Sequence, residues 1–166
     1  MSLSFYTEEE DYLKEESIDI YKDIFYDYLY NFPTLSEALE QMFINHGASP
    51  EIVKELIKDI ISKCEVVINR NKDAFKIQYP NLTLEEIRII SSYTCESYEK
   101  KYSPYKILNS NMVADDRKKG LQNVSKYLFI FMKTIRKLKK YELKGKSDYL
   151  YRGIPVKVKL NYDLYN

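Results

Sequence analysis

Glycine is scarce in this chain: four residues, at 47, 120, 145 and 153, each standing alone. Phosphate-binding loops need clustered glycines whose backbone can wrap an anion, so loops of that kind are excluded. Histidine occurs once, as His46. It precedes Gly47 at a helix end, where an imidazole favours the helix dipole, and it has no nucleophile partner that would make a triad. Cysteine occurs twice, as Cys64 and Cys95, without paired spacing or a neighbouring ligand cluster. That pattern argues against a zinc site or a disulfide framework, and Cys64 falls on an apolar helical stripe as a core residue. No apolar run approaches the roughly 20 residues that a membrane-spanning helix needs. Residues 1–16 are acidic and lack an apolar segment, unlike a secretory signal or a basic transit peptide, so a cytoplasmic location is expected. Calcium-loop carboxylate patterns are missing too. The sequence therefore assigns neither a metal site nor a catalytic residue.

What is present is a chain of 166 residues, 45% hydrophobic and 31% charged, the composition of a globular protein with enough length to bury a core. Seventeen tyrosines accompany abundant Lys, Ile and Asn. These residue types share A/T-rich codons, which explains them without an aromatic recognition surface. The net charge of +1 conceals a division: residues 1–82 carry 8 basic and 16 acidic side chains (net −8), residues 83–166 carry 18 and 9 (net +9). Such a dipole draws the two halves together and presents a basic surface to anionic partners.

Helical periodicity dominates. A first helix is expected over 7–31, with Ile18, Tyr21, Phe25 and Tyr28 on one face, ended by Phe32-Pro33. Thr34 and Glu37 read as a capping pair for a short helix burying Leu35, Leu39, Met42 and Phe43. Ser49-Pro50 opens a third helix with the stripe Val53, Ile57, Ile60, Cys64 and Val67. The polar stretch 69–81, containing Pro80, is the best internal boundary, dividing a helical extension over 1–82 from a second part over 83–166. Thr83 and Glu86 form another capping box, ahead of Ile87, Ile90 and Thr94, and Ser103-Pro104 starts a short helix through Ile107 and Leu108. From Asp116 an uninterrupted stripe, Leu121, Val124, Leu128, Phe131, Ile135 and Leu138, predicts one long central helix with cations gathered at its end. Strand-like alternation follows from residue 148, with Val156, Val158 and Leu160 against Lys157 and Lys159. The fold class expected is α+β: predominantly α-helical, about six helices, followed by one or two C-terminal β-strands.

The run Tyr149-Leu150-Tyr151-Arg152-Gly153-Ile154 places one guanidinium in an apolar segment. A buried unpaired charge costs several kcal/mol, so Arg152 requires an acidic neighbour, a wet strand end or a bound anion. Gly153 removes the adjacent side chain and permits close approach of a ligand or another backbone.

In order, Leu84-Glu85-Glu86-Ile87, Tyr93-Thr94, Tyr105-Lys106-Ile107-Leu108-Asn109, a long apolar helix and Tyr151-Arg152-Gly153-Ile154 resemble the entry segment of the arginine-specific, toxin-like mono-ADP-ribosyltransferases. The resemblance covers about residues 83–154 and rests on the shared order and spacing of short motifs. It implies a truncated ADP-ribosyltransferase-like fold with an NAD cleft, in which Arg152, with Gly153 beside it, binds the phosphates of the cofactor. It also implies two later elements, a Ser-x-Ser strand and a Glu-x-Glu loop, and neither occurs after Arg152. The expectation is a fragment or degenerate form of such an enzyme, inactive as it stands and binding NAD weakly or not at all. The alternative is a non-catalytic helical interaction module that recognises a protein partner through its acidic N-terminal or basic C-terminal helices. Homodimerisation through an exposed strand edge is a further expectation. Nucleic-acid binding by the 133–146 cations is disfavoured, because stacking aromatics are not interleaved with them.

Overall fold

The computed structural model describes residues 22–138. Residues 22–25 are helical and pass into a 3-10 turn at Tyr26–Tyr28. Six α-helices follow: α1 (Leu35–Asn45), α2 (Pro50–Gln78), α3 (Leu84–Thr94), α4 (Pro104–Met112), α5 (Arg117–Asn123) and α6 (Ser125–Ile135), with a second 3-10 turn at Lys100–Tyr102.

Local chemistry explains most of the boundaries. Thr34 Oγ1 accepts the Glu37 N–H at 3.2 Å and starts α1, whose inner face is Leu35, Ala38, Leu39, Met42 and Phe43. Gly47 ends it by adopting φ +92°, the left-handed conformation that only glycine enters at no steric cost. Pro50 occupies the first turn of α2, where its missing N–H would have had no helical partner. Inside α2, Asn71 leaves helical geometry (φ −120°, ψ 17°) while its Nδ2 donates to the Val67 carbonyl at 2.9 Å. An asparagine side chain that engages the carbonyl one turn back competes with the backbone and bends the helix. The capping box of α3 is complete: the Thr83 N–H donates to Glu86 Oε1 at 3.0 Å and the Glu86 N–H to Thr83 Oγ1 at 3.1 Å.

Helices α1, α2, α3 and α6 form a closed ring of neighbours, each packing on the next and α6 returning to α1, with α4 and α5 paired at one side. Their inner faces meet in one apolar cluster that draws on both sides of residue 82, including Leu39, Phe43, Leu56, Ile60, Leu108, Leu121, Tyr127 and Leu128. Arg88 of α3 pairs with Glu65 of α2 and with Glu85 at 3.4 Å, and Glu85 accepts the Leu35 N–H at 3.1 Å, so one charged network ties three helices together.

Two expectations are corrected here. Among the described residues every regular element is helical and there is no strand or sheet, so the α+β class and the C-terminal β-strands are not seen in this fold. The strand-like segment beginning at residue 148 lies outside the described residues. The long helix expected from Asp116 is two helices, broken at Val124 (φ −125°, ψ 21°) although the apolar stripe runs straight across the break. The cause is tertiary. Val124 offers no side-chain cap to α6; Gln41 of α1 supplies one instead, its Oε1 accepting the Lys126 N–H at 3.0 Å and its Nε2 donating to Ser125 Oγ at 3.2 Å. Tyr28 adds a hydroxyl contact to Ser125 Oγ at 2.8 Å. A helix start satisfied from a distant segment leaves no trace in local spacing.

Candidate functional site

The end of α3 and the body of α4 bring together residues that carry the sequence resemblance. Tyr93 donates its hydroxyl to Asn109 Oδ1 at 3.2 Å, joining two helices across 16 positions of sequence. The Tyr93 ring lies against Phe131 (centroids 4.8 Å), and Phe131 stacks on Tyr127 (5.9 Å, interplanar 11°). Tyr127 is buried and anchors this aromatic row: its hydroxyl meets Ser92 Oγ at 2.7 Å, while Ser92 itself donates to the Ile89 carbonyl at 2.6 Å. Because Ser92 uses its proton there, Tyr127 is the donor to Ser92. Burial pushes the Tyr127 phenol well above its ordinary ionisation range, so it remains a neutral structural donor. The row thus runs from the buried core to a lip where Tyr93 is half-buried and Asn109 exposed.

On the neighbouring face of α3, a groove of about 250 Å³ is lined by Val67, Phe75, Tyr79, Leu82, Ile87, Ile90, Ser91, Thr94 and Leu138. Thr94 stands at its edge with Oγ1 donating to the Ser91 carbonyl at 2.8 Å. Leu138 closes one end of the groove. The two residues assigned to NAD binding from sequence, Arg152 and Gly153, lie outside the described residues.

A second groove, about 500 Å³, lies on the opposite flank of α6, bounded by Phe25, Tyr26, Leu29, Phe129 and Met132. Among the described residues its charged lining is Lys22, Lys133 and Arg136. Lys133 Nζ sits 3.3 Å from the Phe32 ring centroid, a cation–π contact that holds one of these cations over the aromatic rim.

Sequence spacing missed a third feature. Cys64, in the middle of α2, and Cys95, the residue that ends α3, are buried free thiols whose Sγ atoms stand 4.0 Å apart. They are 31 positions apart on different helices, so only the packing of α2 on α3 reveals the pair. Hydrogen bonding from Cys64 favours the Cys95 thiolate against its own burial, and Lys63 adds a favourable field, so Cys95 is the more acidic member. The same contact, together with burial, pushes Cys64 far up. Lys63 is fixed nearby by Asp59 Oδ2 at 3.1 Å and the Glu96 carbonyl at 2.6 Å. His46 is exposed, its ring edge-on to Tyr102 at 5.8 Å, consistent with a helix-end residue.

Among the described residues, no helix is long and apolar enough to cross a membrane. Comparison of the chain with protein-family models, with curated proteins and with solved structures returns no match.

Proposed function

We propose that this chain is the helical, NAD-binding portion of an arginine-specific, toxin-like mono-ADP-ribosyltransferase, as a fragment or degenerate form that keeps Arg152 for the cofactor's phosphates and does not itself transfer ADP-ribose. The observation that carries the reading is the Tyr93–Asn109 hydrogen bond. Tyr93 and Asn109 belong to separate motifs of the resemblance, and they meet at one lip, with Thr94 beside Tyr93 in sequence. Thr94 borders an apolar groove, and the lip adds the Asn109 amide and the Tyr93 hydroxyl, polar groups suited to a flat, carboxamide-bearing ring such as nicotinamide. Arg152 contributes a planar, permanently charged fork that matches a diphosphate. After Arg152 the sequence has a single acid, Asp163, and not the Glu-x-Glu element whose glutamate the resemblance assigns to the positive charge that develops as nicotinamide leaves. The reading is therefore of binding without efficient turnover.

Isothermal titration of the 166-residue chain with NAD tests it. Weak saturable binding, reduced at least fivefold by Arg152→Gln and by Asn109→Ala, supports the reading. Absence of saturable binding up to millimolar NAD, or equal binding by both variants, overturns it.

A second reading, a non-catalytic interaction module, is favoured by the α6 groove, where an apolar floor is bordered by Lys22, Lys133 and Arg136. Tyr26, Leu29, Tyr30 and Phe32 remain exposed on that flank, an apolar patch of the kind that marks interaction sites. The partner whose chemistry fits is an acidic amphipathic helix, laying apolar residues on the floor and carboxylates toward the cations. Such a helical peptide should bind with an affinity that falls as salt rises and that weakens on Leu29→Asp. Binding unaffected by both changes would exclude this groove.

A further inference from the structure

We infer that Cys64 and Cys95 are a dithiol modification site that hydrogen peroxide converts to an intramolecular disulfide, with Cys95 as the attacking thiolate and Cys64 as the resolving thiol. The geometry carries this. The sulfurs are 4.0 Å apart in the reduced protein. A disulfide bond measures about 2.05 Å, so closure requires the sulfurs to approach by about 2 Å. Cys64 is held by α2 on both sides, fully buried. Cys95 is the first residue beyond α3, already in extended geometry (φ −82°, ψ 133°), and can turn its side chain without unwinding a helix.

The division of labour follows from the surroundings. Cys95 retains a little exposure (7%), whereas Cys64 has none. Lys63 stands near Cys95, and the Cys64 thiol has acceptors at Cys95 Sγ and at the Arg88 carbonyl (3.6 Å), so the proton of the pair is best kept on Cys64. In the first step the Cys95 thiolate attacks one peroxide oxygen. An S–O bond forms, the O–O bond breaks, and the departing hydroxide takes a proton and leaves as water. In the second step the Cys64 sulfur attacks the sulfenic sulfur of Cys95. The S–S bond forms, the S–O bond breaks, and the hydroxyl leaves as a second water with the Cys64 proton. Two thiols are oxidised by two electrons in total, and one peroxide is reduced to two waters.

Position gives the site a consequence. Cys95 directly follows Thr94 and lies two residues from Tyr93, so closing the bond to α2 pulls on the chain that carries the exposed lip. The chemistry itself does not depend on NAD binding, and its test does not use NAD.

The experiment treats the full chain with near-stoichiometric hydrogen peroxide and follows intact mass, peptide mapping without reductant and dimedone labelling of sulfenic acid. The expected result is a monomer lighter by two hydrogens, containing a Cys64–Cys95 peptide pair and little dimedone adduct. Cys64→Ala should raise dimedone labelling of Cys95 at least fivefold, because the resolving thiol is gone. Cys95→Ser should leave Cys64 unmodified over the same time. Both variants are checked for a wild-type helical spectrum, and the wild-type peptide map stands without them. Thiols that remain free, sulfinic acid on Cys95 in the wild type, an intermolecular dimer, or Cys64 oxidised at the wild-type rate in Cys95→Ser would each overturn the assignment.

Discussion

Gly120 is the residue whose replacement should be felt most for its size. It lies in α5 where that helix presses on the end of α4, and a methyl group added there would run into the backbone carbonyl of Asn111 and stand 3.1 Å from Ala114 Cβ. The carbonyl belongs to a helix end and accepts the Ala114 N–H at 3.4 Å, so it cannot rotate aside as a flexible side chain would. Relief requires α4 and α5 to separate, loosening the contact region of Ile107, Leu108 and Leu121, each about 1% exposed. Overpacking of this kind costs roughly 1–3 kcal/mol, and a backbone obstacle puts this case at the upper end. Alanine returns about 1 kcal/mol through its better helix propensity. The net loss for Gly120→Ala is therefore about 2 kcal/mol, a fall in Tm of roughly 5 °C for a chain of this size. Thermal unfolding followed by circular dichroism measures it. Gly47→Ala is the control, since Gly47 has nothing within 4 Å but holds φ +92°, so its loss comes from backbone strain alone and Gly47→Asn should recover part of it. Asparagine at 120 should recover nothing. A Gly120→Ala protein as stable as the wild type would refute the close-approach argument.

Glu86 carries a pH dependence. Burial opposes its charge, but Lys137 Nζ at 2.8 Å and the Thr83 N–H and hydroxyl outweigh that and lower its carboxyl below the ordinary value of 4.5. A depressed folded-state value stabilises the fold above the ordinary value and loses that contribution as pH falls through the lowered one, so Glu86→Gln should flatten the stability loss on acidification below the ordinary carboxyl value; an unchanged pH profile would count against the Lys137 and Thr83 contacts. Tyr127→Phe removes a buried donor but leaves Ser92 bonded to the Ile89 carbonyl, so it should cost only about 1 kcal/mol in denaturant unfolding; a loss several times larger would mean the hydroxyl supports more than Ser92. Oxidation of Cys64 and Cys95, separated by 31 positions, closes a loop worth up to about 4 kcal/mol in the chain-entropy account, so the oxidised protein should melt higher than the reduced one; a lower melting temperature would show that strain exceeds that gain.

The parts of the fold that local chemistry dictates were legible in sequence. The Thr83–Glu86 capping box, Thr34 as a helix start, Pro50 and Pro104 at first turns and Gly47 at a helix end all lie where their spacing implied. Periodicity located the face of α2 through Val53, Ile60 and Cys64, but the helix buries Leu56 and Ile68 where the stripe suggested Ile57 and Val67, shifts of one position in opposite directions. The break at Val124 was invisible because its cap comes from Gln41, and the cysteine pair was invisible because nothing in either segment encodes the other. The resemblance named Tyr93-Thr94 and Asn109 separately; their meeting is a property of α3 against α4. Within the polar stretch from 69 to 81, α2 runs on to Gln78 past the bend at Asn71, and its Phe75 lines a groove together with Tyr79, Leu82 and Ile87.

The claim on which the functional reading stands is that the Tyr93–Asn109 lip faces NAD. Two-dimensional NMR of the nitrogen-labelled chain during an NAD titration addresses it directly, because the Asn109 side-chain amide reports on the lip itself. Saturable shifts at Asn109, Tyr93 and Thr94 that disappear in Arg152→Gln are expected; an Asn109 amide that stays in place while NAD is raised to millimolar levels would contradict the account.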